Sequence, residues 1–396
     1  KREFLRHLTL VTLSLLVLSV FPVEKVLAVD LGWTTFDLKT PEESEASLGY
    51  GAGRAFYSGG YHYLFYTNWK YDKLCYASSP DIITYTSTNI PVPSIVPPPG
   101  NYSTWDGFTD WYDVNSNTVY LVHNEGFNET HYREYLYLRR GSPNAGVISF
   151  SPIKVIEYNA TRYHCDYRIT KTSSGTLYCV FVRSPVGGQG TTWYRYSTDN
   201  GDTWSSAQRL DNITVNWAGI YNVLPFKNST TAIALCYMNT GNPPQYYRLL
   251  NGATMGPMIT LGARHGSRGH AITNTNLELE CFSGGESASH YTLFTNQSWS
   301  SINYITDRVD TENVLCRSTR TSTGFRVYYN RYNDTWVNGG RNHLWYKDYF
   351  TANRSFVPEY EYPPNNEHEN QLFRLSTTPD GYWDYYASVN YAQDLE

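Results

Sequence analysis

The chain has 396 residues, enough for one large β domain or two ordinary ones, with charged residues at 17% and aromatics at 16%, including 37 Tyr and 11 Trp. That mixture suits strands rather than helices, which favour Ala, Leu, Glu and Lys. A net charge of −5 leaves no electrostatic footprint for nucleic acid, so a nucleic-acid partner is excluded.

The chain opens on Lys1, Arg2 and Arg6, followed by an apolar run from Leu8 to Phe21 and by Val26-Leu27-Ala28. Positive charge, a short apolar core and small residues at a cleavage point describe an export signal cut after Ala28. The run is short for a spanning helix, which needs about 20 residues. The competing expectation is a retained anchor or assembly segment over residues 1–28, the only route to a membrane. Residues 29–396 are expected to form one domain, secreted or on the cell surface. Eight Asn-x-Ser/Thr sequons begin at Asn101, Asn128, Asn159, Asn212, Asn228, Asn296, Asn333 and Asn353. On an exported chain they predict an N-glycosylated surface. The six cysteines (Cys75, Cys165, Cys179, Cys236, Cys281 and Cys316) include no Cys-x-x-Cys pair, which argues against zinc or a redox motif. Their pairing is left open. Several read as small buried hydrophobes.

From residue 30 onward what recurs is a strand, a turn with Gly, Asn or Ser, and a second strand. The clearest unit runs from Tyr167 through Thr176–Val182 and Thr192–Ser197 to Ser205–Leu210, four strands in about fifty residues. Further units start near Gly53, Asp110, Trp217, Arg268, Asn313 and Asn370. Repeats of this size predict an all-β propeller of four-stranded blades, seven favoured and six possible. The last blade is short of two strands at Glu396, and Trp33–Leu38 is expected to supply the missing outer strand. The alternative, a pair of β-sandwiches, does not explain the repeat. Pro91–Pro99 reads as an extended connector between the first two blades.

Ser197-Thr-Asp199-Asn-Gly201-Asp-Thr-Trp204 fits the pattern S-x-D-x-G-x-x-W and resembles the Asp-box, or BNR repeat, of sialidase-like propellers. Asp199 suits the amides of its own turn, Gly201 tolerates positive φ, and Trp204 is a wedge between sheets. The resemblance implies a staple on the face away from any active site, and Ser142-Pro-Asn144-Ala-Gly146 looks like a degenerate second copy. Tyr167-Arg168-Ile169 followed by Ser-Gly-Thr-Leu resembles the sialidase strand pair whose Arg grips a carboxylate, with Thr170 in place of Pro. The loop Ser184–Thr192 lacks the Asp or Glu that a sialidase uses as its acid/base. His123-Asn124-Glu125, with Tyr167 and Arg183, is similar to the His, Tyr and Arg of BNR-containing polysaccharide lyases. That resemblance implies proton transfer by His or Tyr and a cation that neutralises a uronate.

Propellers gather the loops that lead into their blades around one end of the channel. The loop Ala263–His270 concentrates Arg264, His265, Arg268 and His270, and Arg matches carboxylate or sulfate oxygens bidentately. These four are expected to bind anionic substrate, with His123, Tyr167 and Arg183 for chemistry. Asp106 with Glu312 or Glu367 would suit glycoside hydrolysis at the right separation. No spaced metal-ligand set occurs, so no cofactor is expected, and a cation in the channel stays open. The leading expectation is a propeller acting on or binding an acidic glycan, as hydrolase or lyase. The alternative is a non-catalytic adhesion or assembly propeller.

Overall fold

The computed structural model describes residues 46–47, 56–68, 73–81, 85–90, 108–125, 135–159, 163–184, 190–211, 217–239, 245–262, 270–283, 289–305, 316–320, 324–332, 342–358, 360–361, 373–377 and 384–388. Chain contacts separate residues 1–36 from the unit at 37–396, and every described strand belongs to the latter. The export segment and the strand expected at Trp33–Leu38 lie outside the described residues.

Among the described residues every regular element is a strand, and the strands group into seven antiparallel sheets. Their inner strands begin at Phe56, Phe108, Tyr163, Trp217, His270, Cys316 and Phe373. The first sheet adds the short Ala46–Ser47 to its inner edge, and the seventh shows two described strands, Phe373–Thr377 and Asp384–Ser388. The inner strand of each sheet lies against that of the next from the second through the seventh, and the seventh lies against the first. Between the first and second, Phe56 stacks on Tyr112 with ring centroids 4.5 Å apart. The succession closes, so the fold is a seven-bladed β-propeller.

The core is divided into seams between blades, which explains why the strands read as continuous apolar runs. In the strand Leu177–Ser184, Tyr178, Val180 and Val182 face the fourth sheet, while Leu177, Cys179 and Phe181 face the second. A strand covered on both faces has no solvent side to alternate toward. Cys75, Cys179, Cys236 and Cys281 are buried in such strands, and burial pushes the thiols of the last three well above the ordinary range. Trp111, on the second sheet's inner strand, packs against both the second–third and the fourth–fifth seams. Its indole therefore reaches across the axis.

Inner strands run from what is here termed the upper end of the ring to the lower end, and third strands run the same way. The turn Ser197–Trp204 therefore lies at the lower end, after the third strand Thr191–Ser197. The Ser197 hydroxyl donates to Asp199 Oδ1 at 2.6 Å and accepts from the Gly201 amide at 2.8 Å. Asp199 Oδ1 also accepts the Thr203 amide at 2.9 Å, and the bonds from Ser197 and Thr203 hold its carboxyl well below the usual range. Trp204 packs into the seam between the second and third sheets. The fifth sheet repeats the device with Trp299, which packs on Tyr291 and Tyr247 at 5.1 and 6.0 Å. The Ser142–Gly146 segment is a plainer version, with Ala145 and Gly146 at positive φ.

Gly201 has φ +89°, and a Cβ there would meet Leu138 Cδ2 of the neighbouring blade at 2.4 Å. Gly201→Ala is expected to lower stability by on the order of 2 kcal/mol or more, from left-handed strain and overpacking. A urea denaturation midpoint unchanged from the parent would refute this.

Candidate functional site

Alternation along each strand decides which seam a side chain enters. In the second sheet's strand Thr118–Glu125, Val119 and Leu121 face the first sheet, while Tyr120 and Val122 face the third. His123 therefore faces the first sheet, opposite Phe108 in register, and Asn124 faces the third. This corrects the expected trio, because His123 faces the first–second seam whereas Tyr167, on the third blade, faces the second–third seam. Asn124 meets Tyr167 instead. The Tyr167 hydroxyl donates to Asn124 Oδ1 at 3.1 Å and accepts the Asn124 amide at 3.2 Å. Asn124 Nδ2 reaches on to the His164 carbonyl at 3.0 Å.

His123 is buried beside Tyr137, its ring 5.8 Å away, and accepts from Arg139 Nε at 3.1 Å. Burial, with the Arg139 charge added, lowers its pKa to about 3. The imidazole is neutral in the physiological range.

Arg183 does share a seam with Tyr167. Their strands pair in register, His164 opposite Arg183 and Tyr167 opposite Phe181. The Arg183 guanidinium lies over the Trp193 ring, 4.1 Å from its centroid, and pairs with Glu157. Glu157, on the second sheet's outer strand Lys154–Tyr158, has a side chain only 2% exposed and also pairs with Arg195. Asn124, His164, Tyr167, Arg183 and Glu157 thus gather near the upper end of the second–third seam, while Arg195 reaches Glu157 from further down and also donates to the Ser205 carbonyl at 2.7 Å. Glu157, Arg195 and Trp193 escaped the sequence reading. The available signal was an acidic residue inside the apolar run Val155-Ile156-Glu157, which demands a buried partner.

Arg168 faces the other way. It bonds Asp166 Oδ1 at 2.6 Å and the Tyr167 carbonyl at 2.8 Å. Asp166 occupies a bulge in the inner strand and accepts the Ile220 amide of the fourth blade through Oδ2. Arg168 is thus built into the third–fourth junction rather than turned out as a carboxylate grip. His270 begins the fifth sheet's inner strand, at the upper end, whereas Arg264, His265 and Arg268 lie outside the described residues. Asp106, Glu312 and Glu367 lie outside them as well. Among the described residues no group of three or more His, Cys, Asp or Glu is gathered as a metal site.

With that geometry in place, the most informative solved structures are two of one enzyme type. An ulvan lyase described as a new polysaccharide lyase family aligns at 12% identity over 83% of this chain and 86% of its own, with a TM-score of 0.53. A structure of such a lyase bound to -[GlcA(1-4)Rha3S]- aligns at 12% identity over 84% and 86%, with a TM-score of 0.51. The chain shares the propeller fold of an ulvan lyase. At this identity the likeness is one of fold alone. No protein-family model matches the chain, and no curated protein matches it.

Proposed function

We propose that this propeller is an exported, carbohydrate-active protein of the Asp-box group that takes an acidic glycan at the upper end of the second–third seam. The observation that carries the reading is the convergence there of a tyrosine hydroxyl, the Arg183 guanidinium and the indole against which it lies. Arg183 is a planar donor for a uronate carboxylate or a sulfate, and the Trp193 ring lies against its guanidinium and supports it. In lyase chemistry Arg183 would neutralise the carboxylate and acidify the adjacent C–H, while Tyr167, as phenolate, would take that proton and pass it to the departing glycosidic oxygen as the C=C bond forms and the C–O bond breaks. Asn124 holds the Tyr167 hydroxyl in place for that task. His123 takes no part in this scheme, since it faces the other seam.

A second reading, glycan binding without turnover, is favoured by one feature. Tyr167 is 2% exposed and already bonded to Asn124, while Arg183 is already paired with Glu157.

The test offers the full chain uronate-, sulfate- and sialate-bearing polysaccharides beside a neutral one. Binding, new reducing ends and the absorbance of unsaturated uronate are followed together. Acidic glycans are expected to bind, more weakly as salt rises, and Arg183→Ala is expected to weaken that binding at least tenfold. Tyr167→Phe is expected to lower turnover by about 10²–10⁴-fold with binding retained. Binding without any product selects the second reading. Indifference to every acidic glycan rejects both.

A further inference from the structure

We propose that Asn228, Asn296 and Asn353 carry N-linked glycans that together clothe the lower end of the fourth, fifth and sixth blades, the end opposite the seam cluster at Tyr167 and Arg183. The inference does not depend on what the upper end binds.

Placement comes first. Asn228 lies in the turn after the inner strand Trp217–Pro225, Asn296 in the turn after the third strand Ser289–Leu293, and Asn353 in the turn after the third strand Asn342–Phe350. Inner and third strands both run downward, so all three turns emerge at the lower end. Contacts between the turns agree. The Ser174 amide of the third blade donates to the Ser229 carbonyl of the fourth at 2.8 Å, and the Lys227 amide donates to the Leu277 carbonyl of the fifth at 2.9 Å. The Arg354 guanidinium lies over Phe294, 4.8 Å from the ring centroid, joining the fifth and sixth blades.

Presentation comes second. All three asparagines are exposed. In each, the sequon hydroxyl donates to the asparagine's own Oδ1: Thr230 to Asn228 at 3.1 Å, Ser298 to Asn296 at 2.6 Å, and Ser355 to Asn353 at 2.8 Å. The turn amides of Thr230 and Thr231 add bonds to Asn228 Oδ1, and that of Ser298 adds one to Asn296. The middle residues Gln297 and Arg354 take φ +67° and +53°, which curls each hydroxyl back onto its amide. Each Oδ1 is thereby occupied, and among the described residues each Nδ2 has no acceptor. Nδ2 attacks C1 of an oligosaccharide carried on a lipid diphosphate, the N–C1 bond forms, the C1–O bond to diphosphate breaks, and Nδ2 gives up one proton. Asn159, at the upper end after Lys154–Tyr158, is only half-exposed and is not included.

The experiment carries the full chain behind a secretory leader into a eukaryotic secretory host and maps the secreted protein by mass spectrometry. Peptides are treated with an amidase that converts glycosylated Asn to Asp. Conversion at Asn228, Asn296 and Asn353 is expected. Thr230→Ala, Ser298→Ala and Ser355→Ala should each remove one step from the glycoform ladder, while Ser298→Thr and Ser355→Thr keep it. These hydroxyls lie in surface turns, so the variants are expected to be secreted like the parent. Secreted protein unmodified at the three positions, or a ladder untouched by the alanine variants, would overturn the proposal.

Discussion

Glu157→Ala is expected to destabilise the propeller by about 3–5 kcal/mol, the loss typical of removing one partner of a buried ion pair. The carboxylate is 2% exposed and stands between Arg183 and Arg195, whose side chains are 13% and 23% exposed. Removing it leaves two like charges near each other in a seam lined mainly by apolar and aromatic side chains. The lost packing of the side chain adds to the deficit. Replacing Glu157 with Leu together with Arg183→Met and Arg195→Met is expected to recover most of the stability, because well-packed apolar groups often match a buried ion network. Denaturation followed by Trp fluorescence reads both results, with Trp193 a local reporter beside Arg183. A single variant within about 1 kcal/mol of the parent would show that water reaches the seam and that the pairing is worth no more than a surface bridge.

The second large effect is expected at the fifth–sixth seam. Glu280 and His290, with side chains 3% and 1% exposed, meet at 2.8 Å. Thr292 Oγ1 donates to the same carboxylate oxygen at 2.9 Å, and Asn274 Nδ2 donates to the other at 2.9 Å. His290 also packs on Tyr349 and Phe282, with ring centroids at 4.3 and 5.0 Å. His290→Ala deletes a bond and opens a cavity beside a buried carboxylate, at a cost of about 3–5 kcal/mol. Burial alone would raise the Glu280 pKa, but the bonds from His290, Asn274 and Thr292 outweigh it and hold the value below the ordinary 4.5. The unfolded chain therefore takes up this proton first as pH falls. The stabilisation is complete above about 4.5 and disappears as pH drops through the lower folded value. Glu280→Gln should flatten that part of the stability-against-pH curve. An unchanged acid slope would assign it to other carboxylates.

The blade starts were legible because hydrophobicity and turn residues act locally. Units read near Asp110, Tyr167, Trp217 and Arg268 begin in the structure at Phe108, Tyr163, Trp217 and His270. The turn at Ser197–Trp204 was legible for the same reason, since its bonds run between residues two to four apart. Its relative at Trp299 was overlooked because, counted back from the Trp, Phe294 and Asn296 stand where the motif has Asp and Gly, although a turn forms in the same place. What lies around the candidate site was far less legible. His123 and Asn124 are neighbours in sequence and equally polar, yet alternation sends them into different seams, and only the stacking of the blades decides which seam holds Tyr167. Likewise Arg168 looks like a carboxylate grip until the bulge at Asp166 and the amide of Ile220 are set beside it.

By itself the sequence determined strands, turns and the sequons, all written in short-range pattern and in the burial of both faces of each strand, while it left the blade number between six and seven. Tertiary structure decided which polar residues are partners: Asn124 with Tyr167, Glu157 with Arg183 and Arg195, Glu280 with His290. Pairing of the first two kinds depends on the register between separate blades, and no local preference encodes that register.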